Sequence, residues 1–318
     1  MEFFSPRFQY TFSATTPVLE ISPGTKLCVV CPDSDNVQSD GTALPADRRQ
    51  VRSGYPQTNP VAGPINVRGA EPGDTLIVRI DAIHLDRATG QTGLAPANGL
   101  LSGDLLLRDE PAGTQVPKHL FQWTIDTDAN LARVSNPLSQ QVISVPLDPF
   151  VGCIGVCPDR DEEIATLYSG TFGGNMDIPL LRPRTTLFLP VFHSGALLSM
   201  GDLHAAQGHG EIIGGAIETS GRIECTIDLG KGSAIEAPRM ADVTHRSAVG
   251  VDSDLRNAIA KAYAHLLNWM VEDFEINRWD AYNLISQCGS IVMGNLLAPP
   301  YPVAARISQA IWDQYAKG

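Results

Sequence analysis

No uninterrupted apolar run in this 318-residue chain is long enough to cross a bilayer, which excludes a protein anchored by spanning helices. Positive charge is also scarce. Twenty-three Lys and Arg face 35 Asp and Glu, a net charge of −12, and a nucleic-acid partner would instead call for a basic face. Six cysteines in so long a chain do not make a disulfide scaffold. Cys28 and Cys31 form a Cys-x-x-Cys, but in the extended run ending at Cys31 that spacing sends them to opposite faces, and no second pair completes a zinc site. The first residues, Met1 to Arg7, lack the basic and apolar regions of a secretory signal, so a cytoplasmic location is expected.

What remains is a compact globular protein, 43% hydrophobic and 18% charged, long enough for two or more subdomains. The first part reads as all-β. Lys26 to Cys31 is a strand, and Thr75 to Leu85 alternates so that Leu76, Val78 and Ile80 share a face. Cys153 and Cys157 read as buried strand residues, and Ile223, Cys225, Ile227 and Leu229 as an inward strand face. Residues 86–118, rich in Gly, Pro and Asp, predict a long loop of the kind that serves as a lid or binding element. Helices are expected only late. Leu255 to Phe274 has helical spacing, Asn277 can cap a second helix that stops at Gly289, and Pro302 can open a third with Val303, Ile307 and Ile311 inward.

Chemistry-bearing residues gather between Gly195 and Glu218. An apolar run ends at Gly201, and an extended backbone beyond it would point Asp202 and His204 to one face, where they can share a metal or a proton. Glu211 follows two glycines, Gly208 and Gly210, and Glu218 opens the next extended run. Gly-Asp before a strand is also an ordinary turn, and a lone His is often structural. Elsewhere, Asp33-Ser34-Asp35-Asn36 at a strand end fits a binding loop or an Asx-rich turn, and Gly173-Gly174-Asn175-Met176-Asp177 fits a left-handed turn. His84 reads as a rim residue. Covalent-nucleophile hydrolase patterns find no support: the lysines (Lys26, Lys118, Lys231, Lys261, Lys317) lie outside Gly-Ser-rich settings, and a Gly-x-Ser-x-Gly elbow is absent.

The run Gly201-Asp202-x-His204-Ala205-x-Gln207-Gly208-x-Gly210-Glu211, followed by Ala216-Ile217-Glu218, resembles the signature of the acetamidase/formamidase family. Asn59-Pro60-x-x-Gly63-Pro64, Gly69-Ala70-x-Pro72-Gly73-Asp74, Pro149-Phe150-x-Gly152-x-Ile154-Gly155-Val156, Gly173 to Asp177 and Pro190 to Leu197 resemble it in the same order, from about Pro17 to Gly289. Two departures stand out: His209 replaces the family's usual Asp, and Arg182-Pro183-Arg184 replaces its Gly-Ser, adding cations that could meet a carboxylate product.

The resemblance implies an α+β, predominantly β fold: a β-sandwich or barrel body with a helical C-terminal α+β portion, often as a homodimer. The expected division is a β-sandwich domain at 1–150 and a β-rich catalytic portion with the C-terminal helices at 151–318. It implies hydrolysis of a small-molecule amide such as formamide or acetamide by a metal-activated water, with Asp35, His204 and Glu218 as ligands. Asp202 either joins them or orients His204. Glu211 would be the proton shuttle; Asn175 and Gln207 would contact the substrate amide, with Asp177 lining or bracing the site. Zinc is the expected metal and calcium the alternative. Two other readings stay open: a non-catalytic β-sandwich that binds a metal or small ligand, and a hydrolase of a larger amide or cyclic imide.

Overall fold

The computed structural model describes every residue except 97, 98, 102, 136–140, 317 and 318. The fold is α+β and predominantly β. Among the described residues, one sheet has nine strands and a second has thirteen. The alternation in Thr75–Leu85 holds: Leu76, Val78 and Ile80 are buried, and the strand pairs antiparallel with Gly221–Gly230, whose Ile223, Cys225 and Ile227 are buried in turn. These residues meet Ile65, Met200 and Leu203 of the second sheet in one continuous core. This is the sandwich expected of two half-apolar sheets stacked face to face.

Strands from either side of residue 150 interleave in both sheets. Gly221–Gly230 pairs with Thr25–Cys31 as well as with Thr75–Leu85, and Leu198–His204 lies between Val61–Val67 and Phe150–Gly155. The expected boundary at 150 is therefore a place in the sequence that both sheets cross.

Helices cover the far end of the nine-stranded sheet. Asp254 caps Leu255–Phe274 by accepting the Asn257 N–H, and Ala258, Ala262, Leu266 and Met270 recur every four residues on its buried face. Gly250 admits this helix, since a Cβ there would lie 2.2 Å from Ala258 O and from Ala262 N. Asn277 caps Arg278–Cys288 and Gly289 ends it, as the sequence predicts.

Two expectations are corrected. Tyr301–Ser308 is a strand, paired on both edges with His245–Asp252 and Ser290–Met293, and the last helix starts only at Gln309. Val303 and Ile307, four apart, share a face in a strand as they do in a helix, and β-branched side chains fit the sheet better. The stretch 86–118 is not wholly loop: Thr89–Leu94 pairs with His119–Asp126 and touches Glu218, and Gly103–Leu106 is a short helix. Its glycine content misleads because Gly90 lies where a Cβ would strike Ile217 at 2.7 Å; the residue serves close packing, not a turn.

Candidate active site

The site forms where Leu198–His204 meets its neighbours in the thirteen-stranded sheet. His204 ends that strand directly opposite Glu218 of Glu218–Thr219, so the ladder register alone brings imidazole and carboxylate together. Asp202 lies two residues back with φ at 60°, and Asp177 follows Gly173–Asn175 with φ at 45°. Glu211 sits on the loop after His204, also left-handed at 49°. Left-handed backbone is costly for side-chain-bearing residues, and its concentration on three acids marks a place where geometry is held against local preference.

Four of these side chains converge. His204 Nε2 lies 3.4 Å from Asp202 Oδ1, 3.4 Å from Glu218 Oε1 and 4.0 Å from Asp177 Oδ1. All four residues are buried. Each carboxylate has one oxygen tied down. Asn59 Nδ2 donates to Asp202 Oδ2 (3.0 Å), Asn175 and Asn295 Nδ2 donate to Asp177 Oδ2 (2.8 and 3.0 Å), and the Ala216 N–H donates to Glu218 Oε1 (2.9 Å). The other oxygens, Asp177 Oδ1, Asp202 Oδ1 and Glu218 Oε2, are buried with no donor at hydrogen-bonding geometry, as is His204 Nδ1. The His204 ring meets Phe150 edge-on at 4.8 Å between centroids. Gly152 floors the group; a Cβ there would come within 2.9 Å of Asp177, His204 and Asp202 alike.

So many buried acids cannot all be charged without compensation. Burial raises Asp202 to about 7 despite His204 beside it, and raises Asp177 for the same reason. Burial, then the Asp177 charge, pushes Glu211 well above the usual carboxylate range. Burial would also raise Glu218, but His204 and the Ala216 N–H hold it below its ordinary value. For His204, burial favours the neutral ring, yet Glu218 and Asp202 together carry it well above the usual imidazole range. The group needs either protons or a cation to balance it. Its donor set, with ligand atoms of Asp177, Asp202 and His204 within 4.8 Å of one another and those of His204, Glu211 and Glu218 likewise, makes it a candidate metal centre.

Of the residues expected from the sequence, the structure brings His204, Asp202, Glu218 and Glu211 together, and it sets Asp177, expected only to line or brace the site, directly beside His204. Asp35 stands apart, exposed at the mouth of the cavity, where its Oδ2 accepts from Gln91 Nε2 at 2.6 Å. Asn175 lines the cavity with both amide atoms engaged, one on Asp177 and one accepting from Asn59. Gln207 Nε2 donates to the Asp177 carbonyl at 2.9 Å. His209 is exposed. Arg182 pairs with Asp148 at 3.2 Å, and among the described residues no Lys or Arg lines the cavity, so the expected cationic contribution is not made. His84 sits on the surface beside Glu224, as a rim residue should. Sequence reasoning missed Asn59, Asn295 and Gly152 as site residues; Asn59 and Gly152 stood inside motif matches, and Asn295 carried no signal.

Fold and site define an α+β, predominantly β protein with a buried carboxylate–imidazole cluster that is a candidate metal centre. A family model described as the Acetamidase/Formamidase family matches residues 160–289. The chain is 30% identical over 264 residues to an acetamidase of Mycolicibacterium smegmatis, covering 67% of this chain and 63% of that protein. It is 27% identical over 257 residues to a formamidase of Methylophilus methylotrophus, covering 66% and 60% respectively. The crystal structure of an acetamidase from Yersinia enterocolitica superposes with a TM-score of 0.81 at 30% identity, over 98% of this chain and 93% of that one. The chain belongs to the acetamidase/formamidase family. It spans about three fifths of the length of these two curated relatives.

Proposed function

We propose that the protein hydrolyses short linear amides, of the formamide and acetamide kind, to ammonia and a carboxylate. The observation that carries this reading is the convergence of Asp177 Oδ1, Asp202 Oδ1 and Glu218 Oε1 on one buried imidazole nitrogen, the first two without a donor among the described residues, with a further buried acid, Glu211, beside them. We assign Asp177, Asp202, His204 and Glu218 to a divalent cation, because each of the three acids places an oxygen within 4.0 Å of His204 Nε2. Zinc suits a mixed imidazole and carboxylate set, and calcium is the alternative because oxygens predominate. A zinc ion held there would polarise an amide carbonyl and make water acidic near neutral pH.

The chain's own residues do the rest. Asn59, Asn175 and Asn295 fix one oxygen of Asp202 or Asp177 so that the other faces inward. Asn175 and Gln207 thus act as positioning residues for Asp177. Glu211, buried beside Asp177 and raised above the usual carboxylate range by that burial, is the acid left to carry a proton. It takes the proton from the attacking water and delivers it to the departing nitrogen, which leaves as ammonia while the oxygen stays with the acyl carbon. We place the protein in the cytoplasm as a homodimer. None of its six cysteines is in a disulfide and four are buried, and the segment bearing Leu100, Leu101, Leu105 and Leu106 offers exposed apolar side chains that a second copy would cover.

The test is ammonia release from a panel of short amides by the protein as isolated, after chelation and after zinc is returned. Chelation is expected to abolish release and zinc to restore it. Glu211→Gln should keep the metal while turnover falls by roughly 10²–10⁴-fold, the range for a lost general acid–base. No release from any amide with metal bound would sink the amidase reading, and full turnover by Glu211→Gln would leave only a different shuttle.

A further inference from the structure

We infer that the site takes amides whose acyl chain extends beyond acetyl and ends in a cationic group, and that Asp35 recognises that end. The inference rests on the amidase reading above. The cavity leading to the cluster holds about 470 Å³, within the range that accommodates a far larger ligand than acetamide. With only an acetyl as its acyl group, acetamide would leave most of that volume to water. The acids that can engage the amide lie at the inner end, and the outer wall is different in kind. Leu120, Leu167 and Leu297 supply an apolar side, and Asp35 with Gln91 supplies a polar one.

Asp35 is distinguished from the other acids of the cavity by what it lacks. It lies outside both groupings of candidate ligands, and among the described residues no cation pairs with it. Arg87, the nearby guanidinium, is committed to Asp33 at 2.8 Å, and Asp33 also accepts the Asp35 and Val37 N–H groups. Asp35 keeps only the Gln91 amide on Oδ2. An alkyl chain lying along the leucines would carry an ammonium terminus out to this carboxylate, where a charge-assisted hydrogen bond forms. An anionic terminus would meet repulsion from Asp35 and from the acids behind it. The substrate class is therefore the amides of short ω-amino acids.

The experiment compares kcat/KM for acetamide, butanamide and 4-aminobutanamide on the metal-loaded protein and on Asp35→Asn. Butanamide is expected to exceed acetamide. The amino compound is expected to exceed butanamide by about tenfold or more, as one hydrogen bond to a charged group supplies. That ratio should shrink with added salt and vanish in Asp35→Asn, and Asp35→Glu should recover part of it. Equal rates for the two longer amides in the wild type would overturn the inference. So would an Asp35→Asn variant in which all three substrates fall by the same factor, since Asp35 would then serve the reaction itself. Acetamide turnover without preference defeats this inference alone, whereas failure of every amide defeats the amidase reading beneath it.

Discussion

Replacing Gly152 by alanine should disable the site without touching any of its donor atoms. Its φ is not left-handed, so alanine suits the backbone and only space forbids it. The new methyl would lie 2.5 Å from Asp177 Oδ1, 2.8 Å from His204 Cε1 and 2.9 Å from Asp202 Oδ2. Comfortable carbon contacts begin near 3.5 Å, so the overlaps are roughly 1.0, 0.7 and 0.6 Å. Three proposed ligands must retreat together, and each is held from behind by asparagine or strand pairing. A misplacement of about 1 Å costs on the order of 100-fold in rate. Overpacking of a buried site costs about 1–3 kcal/mol of stability, which is a melting temperature lower by several degrees. The assay is kcat/KM on acetamide, metal content by mass spectrometry and a thermal melt, with Gly103→Ala as control because nothing lies within 4 Å of a Cβ there. A Gly152→Ala protein with full metal content, unchanged melting and activity within threefold of wild type would refute the geometry on which the candidate metal centre rests.

Other expectations follow from the same cluster. Asn175→Ala removes a donor from Asp177 Oδ2 and should weaken metal retention by about 10–100-fold, measured by competition with a chromogenic chelator. Unchanged affinity would show that Asn295 suffices. In the metal-free protein Asp202 has a pKa of about 7, above its ordinary 3.8, so the folded state binds the extra proton more tightly than the unfolded chain. That contribution is complete below about 4 and is lost as pH rises to about 7; His204, also raised, loses its contribution in the same direction. Melting of the metal-free protein should therefore fall with rising pH across this window, while the stabilisation gained on adding metal should grow. A metal-induced shift that is flat with pH would contradict the proton–metal competition.

The sequence made some of this legible for physical reasons that can be named. The long helix was readable because Leu255, Ile259, Tyr263, Leu266, Leu267, Met270 and Phe274 fall at helical spacing, though its buried face also uses the small Ala258 and Ala262, and Asn277 and Gly289 bracket the next helix. The Tyr301–Ser308 strand was not, because residues spaced by four satisfy both periods. Asp202, His204 and Glu218 could be grouped from a two-residue spacing and a motif. Asp177 as a direct neighbour of His204, and Asn295 behind it, depend on chain crossings that no local pattern encodes. Asp35 shows the reverse: a polar cluster at a strand end looked like a ligand loop, and the fold sets it at the mouth.

The asparagine behind Asp177 also bears on how the protein comes into being. Asn295 donates to Asp177, its N–H reaches the Met176 carbonyl, and Leu296 N–H bonds Gly210 next to Glu211. Asn59 braces the same centre from the other end of the chain. A chain emerging from the ribosome thus cannot finish this pocket until Asn295 has joined Asn59 around it, and contacts of such long sequence separation form slowly. Any cation the candidate centre takes would follow that step, and a nascent or clipped chain lacking the segment around 295 would carry an acid-rich cleft braced by Asn59 and Asn175 alone. The protein in this sense proofreads its own synthesis: the centre closes only around a chain that has been made through Asn295.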